Sequence, residues 1–380
     1  MASSRRALAA AGIGGGLLAY TWYTKPAPYP PLTWSTQARS YPDKIAMGLG
    51  PFQYYFPEMG ATNPCYTPDE SCRKPGLDDP SAVGEFVSGL RMTCADDYAR
   101  YPEKMDGIRS NFAKKLAIKS FPDSCLQVPV TVSVKRNLAN RPFNSVIDFR
   151  QRREVESELV SALKSISTDG VYHAFPGSQS HAPQMSLTVC DLLRSRGLMF
   201  EPPWTTYDLS CGTGRHWPDA RGIFQLPSSG SVDCVAWING EDHLEIVAVS
   251  RHGDVKEAVR IAQSFINQLE KKLSFALSEA CGNLTMKPED SGTGQKISAV
   301  MELPYLFGHP DFAKLCARLR LRPFVLDKQH MLVNLMSVER FGLTPEENGD
   351  RTRNALNQIV EIDKGIPTNR NLVRTVVLAS

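Results

Sequence analysis

Two apolar runs, residues 232–238 (VDCVAWI) and 244–250 (LEIVAVS), stand on either side of the polar stretch NGEDH. Runs of this length bounded by turn residues read as strands, and so short a gap forces them to pair as an antiparallel hairpin. A hairpin this apolar must be buried, so the chain has to supply further strands and helices to cover it. Its tip carries Glu241, Asp242 and His243, with Glu245 just beyond, and no lysine or arginine lies within residues 237–250 to balance them. Taken alone, polar residues at a hairpin bend need no function, because turns favour them.

The remaining elements fit an α+β domain, a sheet with helices packed on it. VPVTVSV, from Val128, alternates as a strand does, and residues 299–304 and 332–338 read as further strands. Residues 153–166 place Val155, Leu159, Leu163 and Ile166 on one helical face. Residues 255–273 carry an apolar stripe behind the start signals Gly253 and Asp254, and a last long helix is predicted over 345–363. Upstream, residues 33–125 are rich in Pro, Gly, Asp and Tyr, with helical stretches at 83–90 and 105–117, and read as a small helical domain with long loops. The larger domain is predicted over 126–380.

With 380 residues the chain is long enough for two domains. A formal charge of +3 and the absence of a basic stripe argue against a nucleic-acid binder. Arg318, Arg320 and Arg322 alternate with leucines, as a snorkelling surface would. Residues 1–25 have Arg5 and Arg6, an apolar run from Ala7 to Tyr23, and no acid before Asp43. That run is at the lower limit for crossing a bilayer, and three readings compete: a cleaved secretory signal, a mitochondrial presequence, and an uncleaved anchor with Tyr20, Trp22 and Tyr23 at the interface. The anchor is the reading adopted here, with PAPYPPL (26–32) as a polyproline spacer. Cys65 and Cys72 share one polar loop and are close enough in sequence to bridge, whereas Cys190, Cys234 and Cys316 read as small buried hydrophobes.

No histidine pairs with another at ligand spacing, so no metal site is expected. A nucleophile elbow and the phosphate-binding glycine patterns are absent.

The order of the blocks says more. WPDARGIF (217–224), CVAWINGEDHLEIVAV, the long helix, CGNLTMKPEDSGTGQKISAVMELP (281–304), HPDFAKLCARLRLRP (309–323) and NLMSVERFGLTPEE (334–347) run collinearly. So do CYTPDES, SGLRMTCADDYARYPEKMDGI and VSVKRNLANRPFN upstream. In that order, from about Thr33 to Asp363, they resemble the ATP:guanidino phosphotransferases, the arginine and creatine kinase family. The resemblance implies the guanidino kinase fold: a small helical N-domain and a larger domain with an antiparallel sheet flanked by helices. It implies phosphoryl transfer between ATP-Mg and a guanidinium, where arginines position the phosphates and carboxylates hold the guanidinium.

Residue by residue the resemblance is uneven. Glu241 matches the family's guanidinium-gripping carboxylate in its NEEDHLR motif, while Glu245 stands where that motif has a phosphate-binding arginine. One such charge at ~4 Å is worth about 4 kcal/mol at an effective dielectric of ~20, so reversing it reverses the sign. Lys287 replaces the family's reactive cysteine, Lys296 replaces a further phosphate arginine, and Gln225 replaces an adenine-contacting histidine. Lys135 and Arg136 cover one substrate-loop arginine, whereas Asn137 and Asn140 fall where two others belong. The mobile glycine-rich lid has no counterpart between Arg322 and Leu332. The expectation is therefore a catalytically inactive phosphagen-kinase-like protein without cofactor, membrane-anchored, working with protein partners as an accessory subunit at the mitochondrial inner membrane. The alternative is a divergent active kinase that seats ATP-Mg on Lys287, Lys296 and Arg322. A third reading is a regulator that binds a guanidinium through Glu241 without transferring phosphate.

Overall fold

The computed structural model describes residues 126–378, except 181, 201–215, 229 and 370, together with parts of the segment 92–121. The expected anchor and spacer, most of the helical N-domain, and Cys65 and Cys72 lie outside the described residues. Among the described residues no helix is long and apolar enough to cross a membrane.

In chain order the elements are a short helix α1 (Asp96–Arg100), β1 (Val130–Arg136), α2 (Phe149–Ile166), β2 (Val171–Ala174), α3 (Leu187–Ser195), β3 (Gly222–Gln225), β4 (Val232–Ile238), β5 (Leu244–Ser250) and α4 (Val255–Glu270). They continue with a two-residue ribbon, β6 (Leu277–Ser278) and β7 (Gly282–Asn283), then β8 (Gln295–Glu302), α5 (Phe312–Arg318), β9 (Leu321–Asp327), β10 (Leu332–Ser337), α6 (Pro345–Gly365) and α7 (Leu372–Leu378). Eight strands form one antiparallel sheet in the order β2-β3-β4-β5-β1-β8-β10-β9. The β4–β5 hairpin has the predicted bounds and lies near the centre, where every residue of β5 is buried. β1 lies beside β5, with Lys135 opposite Glu245 and Val132 opposite Ala248.

Alternation along these strands gives the sheet two unlike faces. Val132, Val134, Ile246, Ala248, Ile297 and Leu335 pack with Val155, Leu159 and Leu163 of α2, Val259, Ala262 and Ile266 of α4, and Leu356 and Ile359 of α6. The opposite face is apolar over β3–β5, where Ile223, Val235, Val247 and Val249 meet Phe175, Phe200 and Trp217. Between β5 and β8 that face turns polar, with Ser133, Lys135, Glu245 and Lys296 in register. Glu245 and Lys296, two of the candidate site residues, sit on this strip.

Local chemistry starts each covering helix. Asp148 caps α2 and Thr344 caps α6, each in a capping box that satisfies two otherwise orphaned N–H groups. Asp254 caps α4 by accepting from the Glu257 N–H. The turn into α4 needs Gly253: its φ is +76°, and an added Cβ would lie 2.5 Å from the Leu126 carbonyl oxygen.

Some predicted bounds shift. Over 299–304 the strand instead begins at Gln295, four residues early, because Lys296 and Ser298 belong to its polar face. β2, β3 and β9 are strands that apolar patterning alone did not mark. Arg318, Arg320 and Arg322 occupy the last turn of α5, a left-handed residue with φ +56° and the edge strand β9, and they alternate with the buried Leu319 and Leu321 as expected.

Gly253→Ala should destabilise the fold by about 1–3 kcal/mol from backbone strain alone, more if the Leu126 segment must move. A lowered urea midpoint with unchanged slope would register it.

Candidate functional site

The acidic tip is not left unbalanced. Lys135, near the end of β1 and only 2% exposed, places its ammonium 2.5 Å from Glu241 Oε2, 2.6 Å from Asp290 Oδ2 and 3.8 Å from Asp242 Oδ2. The other Glu241 oxygen, Oε1, lies 2.6 Å from the ammonium of Lys287. Both oxygens of the predicted guanidinium carboxylate are therefore paired with lysines of the chain itself. Neither lysine is a neighbour of Glu241 in sequence; β1 and the 3-10 turn Pro288–Asp290 bring them there.

The scaffold beneath these charges is rigid. Asn137 donates to Asp242 Oδ1 at 2.6 Å and to the Leu284 carbonyl, while its own oxygen accepts from the His243 N–H at 2.9 Å. Asp242 Oδ1 also accepts from the Met286 N–H at 2.6 Å. Asn137 thus fastens β1, the hairpin tip and the following loop together. His243 is fully buried; its Nδ1 accepts from the Leu138 N–H, which leaves Nε2 to donate to the Pro142 carbonyl. That pattern fixes the neutral imidazole, and burial drops its pKa to about 3. The histidine of the tip is a structural clasp. Gly294, at φ +66°, lets β8 approach β1 beside the site, since a Cβ there would lie 2.7 Å from the Lys135 carbonyl oxygen.

The remaining predicted residues are spread over four strands and a turn. Glu245 is buried on β5 directly across from Lys135 and across from Trp237. Lys296 lies on β8 opposite Ser133; among the described residues no carboxylate comes within ion-pair distance of its ammonium, and burial together with the like charge of Lys135 lowers its pKa. Arg322, on β9, reaches across to Glu289 of the 3-10 turn at 3.5 Å with its side chain about half exposed. Gln225 ends β3 opposite Val235, two strands away from Glu245 on the same face. Asn140 is not drawn into the site: it is an exposed turn residue with φ +59°.

Sequence reasoning missed Asp290 and Arg340. Burial disfavours the ionised Asp290, but Lys135, Lys296, Arg340 and Lys287 together hold its carboxyl well below the usual range. Arg340 is buried, donates to the Ser337 hydroxyl and the Glu339 carbonyl, and lies 3.8 Å from Asp290 Oδ1. No local pattern marked either residue; only the charge of ED after MKP and of R before FGL was visible. Glu241, Asp242, Glu245, Glu289 and Asp290 stand with Lys135, Lys287, Lys296, Arg322 and Arg340, so acids and cations in the cluster are equal in number.

Residues 154–366, more than half of the chain, match the family model described as the ATP:guanido phosphotransferase C-terminal catalytic domain. The chain belongs to that family. It is similar to arginine kinase Oct f 2 of Amphioctopus fangsiao, 28% identical over 312 residues that cover 76% of this chain and 85% of the relative. Among solved structures, the substrate-free duplicated taurocyamine kinase of Schistosoma mansoni is similar with a TM-score of 0.62 at 21% identity, over 73% of this chain and 41% of that longer one. A lombricine kinase matches with a TM-score of 0.60 at 19% identity, over 74% of this chain and 83% of its own. At those identities the structures show a shared fold: the guanidino kinase fold, an antiparallel sheet flanked by helices.

Removing the Lys135 charge should be costly, because Glu241, Asp242 and Asp290 would lose their common counter-ion. Lys135→Met should destabilise by about 3–5 kcal/mol in urea unfolding, the range for breaking one side of a buried pair.

Adjacent residues of the tip should also give opposite pH dependences. His243 binds its proton at about 6.5 unfolded but at about 3 folded, so its contribution to stability is present above about 6.5 and is lost on acidification toward 3. Burial instead pushes the Asp242 carboxyl up to about 6 against about 3.9 unfolded, so its contribution is lost as pH rises from about 4 to 6. His243→Gln removes only the first, so the stability gap between the native chain and the variant should widen by about 1.4 kcal/mol per unit from pH 4 to 6. Urea unfolding across that interval measures it.

Proposed function

We propose that this protein is a catalytically inactive member of the phosphagen kinase family with a structural or accessory role. The observation that carries the reading is the pairing of both Glu241 oxygens with Lys135 and Lys287 inside a cluster of equal charges. A site that transfers phosphate from ATP needs surplus cations around the triphosphate and a carboxylate offered to the guanidinium. Here most cations are engaged by neighbouring acids, and Glu245 adds an anion beside Lys135. The segment between Arg322 and Leu332 supports the same reading: it runs as strand β9 and a turn stabilised by Asp327, whose carboxylate accepts from the N–H groups of Gln329 and His330, rather than as a lid.

The N-terminal apolar segment of residues 1–25 supports a membrane-anchored form, and the metabolic setting of the family favours the mitochondrial inner membrane and protein partners in a larger complex. Membrane fractionation followed by native mass analysis should find the chain in the membrane pellet within a large assembly; recovery as a free soluble monomer would refute that location.

A second reading, a divergent active ATP:guanidino phosphotransferase, is favoured by Lys296, whose ammonium has no ion pair among the described residues, and by relatives named as kinases. Calorimetric titration with ATP-Mg, paired with a phosphoryl-transfer assay on arginine and creatine, separates the two. The inactive reading expects no saturable binding up to millimolar nucleotide and no phosphorylated guanidine; turnover of either substrate overturns it.

A further inference from the structure

We infer that Lys287 is a built-in occupant of the Glu241 carboxylate, an ammonium held by the fold where a guanidinium-type cation from outside would otherwise pair. The inference rests on the reading above that this site does not turn over substrate, and it explains how the site is kept closed. A carboxylate can accept two parallel N–H bonds from one guanidinium fork, one on each oxygen. In this protein two lysines divide that role, Lys135 on Oε2 and Lys287 on Oε1.

The two lysines are not equivalent. Lys135 is 2% exposed and shared among Glu241, Asp290 and Asp242, so it is fixed in the core of the cluster. Lys287 is 26% exposed, and among the described residues its ion pair is with Glu241, itself 19% exposed. Solvent therefore reaches the outer side of the pair, and Lys287 is the partner that a competing cation can displace. Its seat is nevertheless built. The Lys287 carbonyl accepts from the Asp290 N–H at 2.9 Å and from Thr285 Oγ1 at 2.6 Å, and Pro288 follows it. Behind that loop Tyr98 donates its hydroxyl to the Thr285 carbonyl, and the Met92 N–H bonds to the Met286 carbonyl. The backbone is braced from both sides, and the unbranched lysine stem carries the ammonium from it to Glu241. Removing the Lys287 charge leaves the balanced cluster with one excess negative charge and takes away the cation on Glu241 Oε1, while Lys135 stays on Oε2.

Lys287→Met, which retains an unbranched stem and deletes the charge, tests this. The native chain, Lys287→Met, Lys287→Gln as a second neutral variant, and the double variant Lys287→Met/Glu241→Gln are titrated with methylguanidinium chloride and with methylammonium chloride at constant ionic strength, followed by NMR. The expected result is at least tenfold tighter methylguanidinium binding in both neutral single variants than in the native chain, weaker binding of methylammonium, and loss of the gain in the double variant. No gain in a neutral variant whose urea midpoint shows it folded would overturn the inference. So would a gain that survives Glu241→Gln, or equal binding of the two cations. Phosphoryl transfer by the native chain would instead overturn the inactive reading, a separate measurement with a separate outcome.

Discussion

Burying the Lys135 ammonium removes it from water at a cost of several kcal/mol, and the surrounding structure is arranged to offset that cost. Glu241, Asp242 and Asp290 converge on it from the β4–β5 tip and the Pro288–Asp290 turn. Because the carboxylates come from separate segments, the ammonium holds those segments in register. Asn137 and His243 add hydrogen bonds beneath that tie Asp242 and the hairpin tip to β1, so the charged layer rests on a polar one. Burial by itself lowers the Lys135 pKa, yet the acids around it raise it well above the ordinary lysine value.

The sheet makes this arrangement feasible by dividing labour between its faces. The helices α2, α4 and α6 cover one face with aliphatic side chains, which supplies the hydrophobic burial that a charged strip cannot. On the opposite face the apolar cluster around Phe200 and Trp217 stops at β5, and the polar strip begins. Members of the family share this frame, as the likeness to taurocyamine and lombricine kinases indicates. The proposed accessory role rests on the set of charges placed on that frame rather than on the fold.

Much of the frame was legible in the sequence because it depends on period and on capping. The strands 232–238 and 244–250, the start of α4 after Gly253 and Asp254, and α6 after Thr344 were each signalled by residues adjacent in the chain. The beginning of β8 was not, because Lys296 and Ser298 interrupt its apolar run, and β9 carries exposed Phe324 and Val325 on an edge with no clean alternation. Collinear blocks identified the family, since a shared order of motifs is a property of the sequence itself.

The sequence by itself therefore determined the α+β frame and the family, and it singled out Glu245, Lys287 and Lys296 as candidate site residues. Only the tertiary structure decided how those charges are paired. The tip lacks a basic residue within its own stretch, and its counter-ions arrive from Lys135, more than a hundred positions earlier, and from Lys287, more than forty later. Electrostatic pairing depends on distance in space, and no local pattern encodes which strand will lie beside which; that is why Asp290 and Arg340 were invisible until the sheet closed around them.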